Sequence, residues 1–159
     1  MNCRNSSNTP RRTRWWMSAA LAAASLLLAV PSFGQAGGTT CATAPLITLP
    51  FTLASGTTCG GVDDYTSANT GSCSSNNYKA GEDILWRFVA PSTGNVTITF
   101  TDNSGGAWMA AHLFLNCPSP SGTCIGTTGC SGCGAHSGTY PVTSGNTYYV
   151  MMDNWPSPS

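Results

Sequence analysis

Charge is what this chain has least of: 6 Lys and Arg and 6 Asp and Glu among 159 residues, with only 2 His. A surface so poor in cations lacks the basic cluster that displaces phosphate counterions, which excludes nucleic acid as a partner. Long apolar runs are missing too. The most apolar stretch, residues 19–30, is cut off by Pro31, Ser32 and Gln35 before it reaches the roughly 20 residues of a spanning helix. No Gly-x-Ser-x-Gly elbow and no His-Glu-x-x-His pair occurs, and the carboxylates are too few and too turn-bound for a glycosidase pair. The expectation is a protein that is not an enzyme. Nor does any segment carry a convincing helical period.

What the chain does have is a leader. Arg4, Arg11, Arg12 and Arg14 precede the apolar stretch, and Pro31 with the small residues up to Ala36 completes the pattern of a secretory signal peptide over residues 1–36. The mature domain is then 37–159, secreted or held at the cell surface, with no membrane span after cleavage. Without the leader only Lys79 and Arg87 oppose Asp63, Asp64, Glu82, Asp83, Asp102 and Asp153, a formal charge of −4. Cys3 is lost as well, leaving Cys41, Cys59, Cys73, Cys117, Cys124, Cys130 and Cys133 in an oxidising compartment. An odd set implies a thiol, an intermolecular bridge or a missing partner. Short spacing suggests Cys59–Cys73 and Cys117–Cys124 as bridges, the second stapling the turn at residues 118–122. Cys124, Cys130, Cys133 and His136 have a zinc-like spacing, but export favours oxidation of such thiols over metallation.

The mature sequence reads as strands separated by turn chemistry. Residues 46–53 alternate around Pro50, as an edge strand allows. Residues 84–90 are apolar on both faces, the mark of a central strand. Residues 95–101 set Val96, Ile98 and Phe100 against Thr97, Thr99 and Thr101, a half-buried antiparallel strand. Residues 108–115 and 147–152 follow, with turns at 91–94, 102–106 and 144–146. Short strands at this spacing indicate an all-β antiparallel sandwich or jelly roll.

The order of the motifs Cys41-Ala42-Thr43-Ala44-Pro45, Thr57-Thr58-Cys59-Gly60, Asp63-Asp64-Tyr65, Gly81-Glu82-Asp83-Ile84-Leu85-Trp86-Arg87-Phe88, Gly94-Asn95-Val96-Thr97-Ile98-Thr99 and Tyr148-Tyr149-Val150-Met151-Met152-Asp153 resembles bacterial pre-peptidase C-terminal domains. It likewise resembles their cysteine-containing relatives in large secreted surface proteins. The resemblance implies a jelly-roll β-sandwich that is not itself catalytic and is appended to peptidases, other hydrolases or adhesins. Such domains carry one more strand after the segment matching residues 148–153, so the resemblance also implies a fragment, cut before its final strand.

Two sets of residues are candidates for binding. Asp63, Asp64, Glu82 and Asp83 supply hard oxygen ligands of the kind calcium takes, and the family resemblance includes calcium-binding members. Turn capping and solvation are the competing role for these carboxylates. Trp108, beside Gly105 and Gly106, and Trp155, beside Pro156, are the aromatics least explained by core packing. They suit contact with polysaccharide or an extracellular protein. The expected function is adhesion or tethering, with two alternatives: an accessory domain of a secreted hydrolase, or a structural spacer in a repetitive adhesin.

Overall fold

A computed structural model of the chain describes residues 36–70, 73, 79–101, 108–131 and 134–155. The expected leader, the turn at 102–106 with Asp102, Cys133 and the tail at 156–159 lie outside the described residues. Among the described residues six strands are formed: β1 (Ile84–Val89), β2 (Gly94–Thr101), β3 (Trp108–Leu115), β4 (Thr123–Ser131), β5 (Ala135–Val142) and β6 (Thr147–Trp155). A single turn, α1 (Pro118–Ser121), joins β3 to β4. The fold is an all-β antiparallel sandwich. One sheet has the order β1-β6-β3-β4, and β2 pairs with β5 in the other. Jelly-roll topology is an eight-stranded arrangement, and the described four-plus-two strands do not establish it.

Alternation along each strand divides the four-stranded sheet into two buried faces. On one, Phe88, Leu113 and Tyr148 meet Val142, Val96, Ile98 and Tyr140 from the β2–β5 sheet, together with Ile47 and Leu49. Phe88 and Tyr148 stack with ring centroids 5.5 Å apart. On the other face, Leu85, Phe114, Tyr149 and Met151 pack against Ala44, Tyr65 and Cys73 from the irregular segment that precedes β1. β1 is therefore apolar on both sides, as its sequence requires. Outward on β2 and β5, Thr97 and Thr139 share a hydrogen bond at 2.9 Å, and Thr99 and Ser137 one at 3.2 Å. These hydroxyl pairs supply polarity where charge is scarce.

Residues 46–53 do not form the expected edge strand. Arg87 N donates to Pro45 O and Ile47 N donates to Arg87 O, giving one parallel bridge between Leu46 and Arg87. Pro45 has no N–H to donate to β1, so this pairing does not extend back beyond the single bridge. Gly38 and Val62 make further isolated bridges to Leu85 and Asp83 on this edge. β6 lies between β1 and β3 and is paired on both sides.

β4 and β5 are strands that pattern alone does not reveal. β4 carries Gly126 and Gly129, and β5 carries Gly138 and Pro141. Both become legible in three dimensions because the Tyr140 ring covers Gly126 and Gly138, where an added Cβ would collide with it. The glycines make room for an aromatic that fills the space between the sheets.

The disulfides also differ from the expected pairs. Cys41 bridges Cys117 and Cys73 bridges Cys124, with Cα–Cα separations of 5.8 and 5.2 Å. Cys117 and Cys124 flank α1 but both pack against the core cluster beneath the preceding irregular segment. Each takes its partner from that layer, not from across its own turn. Cys59 is exposed and belongs to neither bridge.

Candidate functional site: the tryptophan end of the four-stranded sheet

Trp108 begins β3 and Trp155 ends β6, and the antiparallel register sets them directly opposite one another. Their ring centroids are 5.2 Å apart with planes tilted by 46°. The separation lies in the range in which aromatic pairs attract beyond simple burial. Trp155 remains 40% exposed while Trp108 is half-buried. The two residues singled out for recognition thus form one aromatic surface at the end of the sheet. Trp86, by contrast, is buried at 5% exposure and lies 6.5 Å from Phe51.

One row further into the same face the chemistry changes sharply. Asp153 stands opposite Ala110 on β3, and continuing the Ile84↔Met152 register by one residue brings Asp83 beside it. Both carboxyl groups are fully buried. Asp83 Oδ2 accepts from Tyr65 N at 2.8 Å. Asp153 Oδ1 accepts from Gly81 N at 3.2 Å and from Asn154 N. Burial, above all, pushes both carboxyl pKa values up, and the Asp83 charge pushes Asp153 further. The two carboxyl groups lie close enough for each to act on the other. Lys79, 2% exposed, lies close enough to feel Asp153, but burial lowers its own pKa.

Asn154 completes the buried network. Its Oδ1 accepts from Glu82 N at 3.1 Å, and its Nδ2 donates to Thr58 Oγ1 at 3.2 Å. Gly81 passes so near that an added Cβ would land on Asn154 Oδ1 and its carbonyl oxygen. Tyr65 links the same cluster to a disulfide, receiving a hydrogen bond from Cys41 N at 3.0 Å and donating toward Cys41 Sγ at 3.3 Å.

The four candidate calcium ligands are not gathered into one shell. Asp63 and Asp64 are exposed, Glu82 is half-buried and Asp83 is turned inward to Asp153. Among the described residues no group of three or more His, Cys, Asp or Glu side chains converges as metal ligands. Asp63 has a raised pKa, from partial burial and then from the neighbouring Asp64 charge. Cys124, part of the zinc-like spacing, is oxidised in the bridge to Cys73. His112 is buried, with Nδ1 2.8 Å from Thr127 Oγ1, and His136 stacks on Phe100 at 5.1 Å.

Sequence reasoning missed Asp153 as the partner of Asp83. The available signal was a carboxylate within the alternating run of β6, on the row that carries Tyr149 and Met151. No family model, curated protein or solved structure matches the chain.

Proposed function

We propose that this chain is a non-catalytic recognition module of a secreted or cell-surface protein, and that Trp108 and Trp155 form its contact surface for polysaccharide or extracellular protein. The observation that carries the reading is the paired tryptophans in register at the sheet end, with Trp155 left 40% exposed. An indole of this kind has an apolar face for a sugar ring or a protein side chain and an N–H for a hydrogen bond. Two disulfides suit the oxidising compartment that the arginine-led leader implies. The motif order resembling pre-peptidase C-terminal domains supports an appended module.

Arrays of glycans and of matrix proteins, probed with the wild-type protein and with Trp155→Ala, test this directly. Trp155→Ala should weaken any specific signal by about 30-fold, the ~2 kcal/mol expected of a tryptophan anchor. A positive signal that Trp155→Ala leaves unchanged would remove the aromatic pair from recognition. The absence of any signal on both arrays would argue against adhesion.

A further inference from the structure

Two oxygens at the sheet end are buried with no hydrogen-bond donor among the described residues: Asp83 Oδ1 and Asp153 Oδ2. Each carboxyl has its other oxygen occupied by backbone N–H groups, and the strand register with the mutual influence of the two groups sets the carboxyls, with their spare oxygens, side by side. Two full charges in such contact, without water, would repel strongly. Something positive must lie between them. We propose that Asp83 and Asp153 share a single proton, and that this proton fastens residues 58–65 and 79–83 to the end of β6.

The donor set favours a proton over a divalent cation. Calcium requires six to eight oxygens, and Asn154 Oδ1 and Thr58 Oγ1 are already engaged in the network. The surroundings are mixed in charge. Lys79 and Glu82 approach from the segment before β1, Asp63, Asp64 and Tyr65 from the preceding turn, and His112 from β3, diagonal to Asp153. Arg87 lies on the same row of β1 and Tyr149 on the same row of β6. The Asp153 charge acts on Lys79, and burial lowers the Lys79 pKa against it.

A raised carboxyl pKa means that the folded state holds a proton that the unfolded chain has lost above about pH 4. Stability from the shared proton is therefore full below that pH and declines as pH rises through the raised values. When the proton leaves to solvent, two like charges remain buried, and the clasp beside Trp155 loosens. The inference stands apart from the recognition role, because its readout is unfolding and not binding.

The test is thermal unfolding of the wild-type protein, Asp153→Asn and Asp83→Asn between pH 5 and pH 9, with EDTA and with added Ca²⁺. The wild-type midpoint should fall by about 5 °C or more across this range, and either asparagine, which supplies a permanent N–H donor, should flatten the slope. Carbon-13 NMR of the wild-type carboxyl groups covers the case in which a variant does not fold. At a pH between the two raised values, about pH 8, it should show one proton on the pair. A slope unchanged in the variants, or two ionised carboxylates at that pH, would overturn the proposal. So would a midpoint lowered by EDTA and restored by Ca²⁺, which would place a cation between the oxygens.

Discussion

Replacing Cys73 and Cys124 together by alanine removes the bridge that holds the irregular layer against β4. The bridge spans 51 residues, which in the chain-entropy model corresponds to about 4 kcal/mol of denatured-state freedom. Cys41–Cys117 remains in place, and it encloses Cys73, so the loop that is actually released is shorter. Against this reduction stands the loss of a fully buried sulfur from the cluster around Phe114 and Met151. The net expectation is a loss of about 3 kcal/mol. With a urea m-value of about 1.5 kcal/mol/M, the midpoint followed by tryptophan fluorescence should drop by roughly 2 M. The m-value itself should rise, because the less constrained unfolded chain exposes more surface. A loss below about 1 kcal/mol would refute the reasoning, as would peptide mapping that places Cys73 with Cys59. Cys59→Ala should leave the Cys73–Cys124 peptide intact, whereas a Cys59–Cys73 bridge would be abolished by it.

Two packing predictions follow from the sandwich. Leu113→Ala should destabilise by about 3 kcal/mol, since Leu113 is fully buried between the sheets, and urea unfolding should show it with little change in slope. Gly126→Ala should lower the thermal midpoint by several degrees, because the new methyl group meets the Tyr140 ring, at about 1–3 kcal/mol for overpacking. An unchanged midpoint would mean that Tyr140 does not cover this glycine.

The strands that sequence pattern reveals are those whose burial follows alternation. β2 alternates apolar residues with threonines, and β1 reads as apolar on both faces because two different layers cover it. β3 and β6 carry enough large residues to be recognised, although β6 extends through Asn154 to Trp155 beyond the expected end. β4 and β5 were not legible, because glycines stand where an inward-facing side chain would have marked the period. Their partner is Tyr140, and only the approach of the sheets makes that relation visible. Residues 46–53 show the converse: alternation is present, yet the segment makes only one bridge to β1 and is not a strand.

The site was partly legible for similar reasons. Trp108 and Trp155 stand out as large aromatics beside turn residues, but their pairing depends on the β3–β6 register across 47 positions of sequence. A longer separation, from position 83 to position 153, hides Asp153 from Asp83, so a carboxylate that reads as a turn ligand is in fact half of a buried pair. Disulfide spacing misled because cysteines were matched to their nearest neighbours, whereas the core brings together residues 76 and 51 positions apart.

The most direct measurement of the recognition surface is a titration of the protein with an array-positive glycan or matrix protein, following the indole Nε1–H resonances by NMR. The account predicts that the Trp108 and Trp155 signals shift together and saturate with the binding isotherm, while the signal of buried Trp86 stays in place. Saturable binding that moves neither Trp108 nor Trp155 would contradict it.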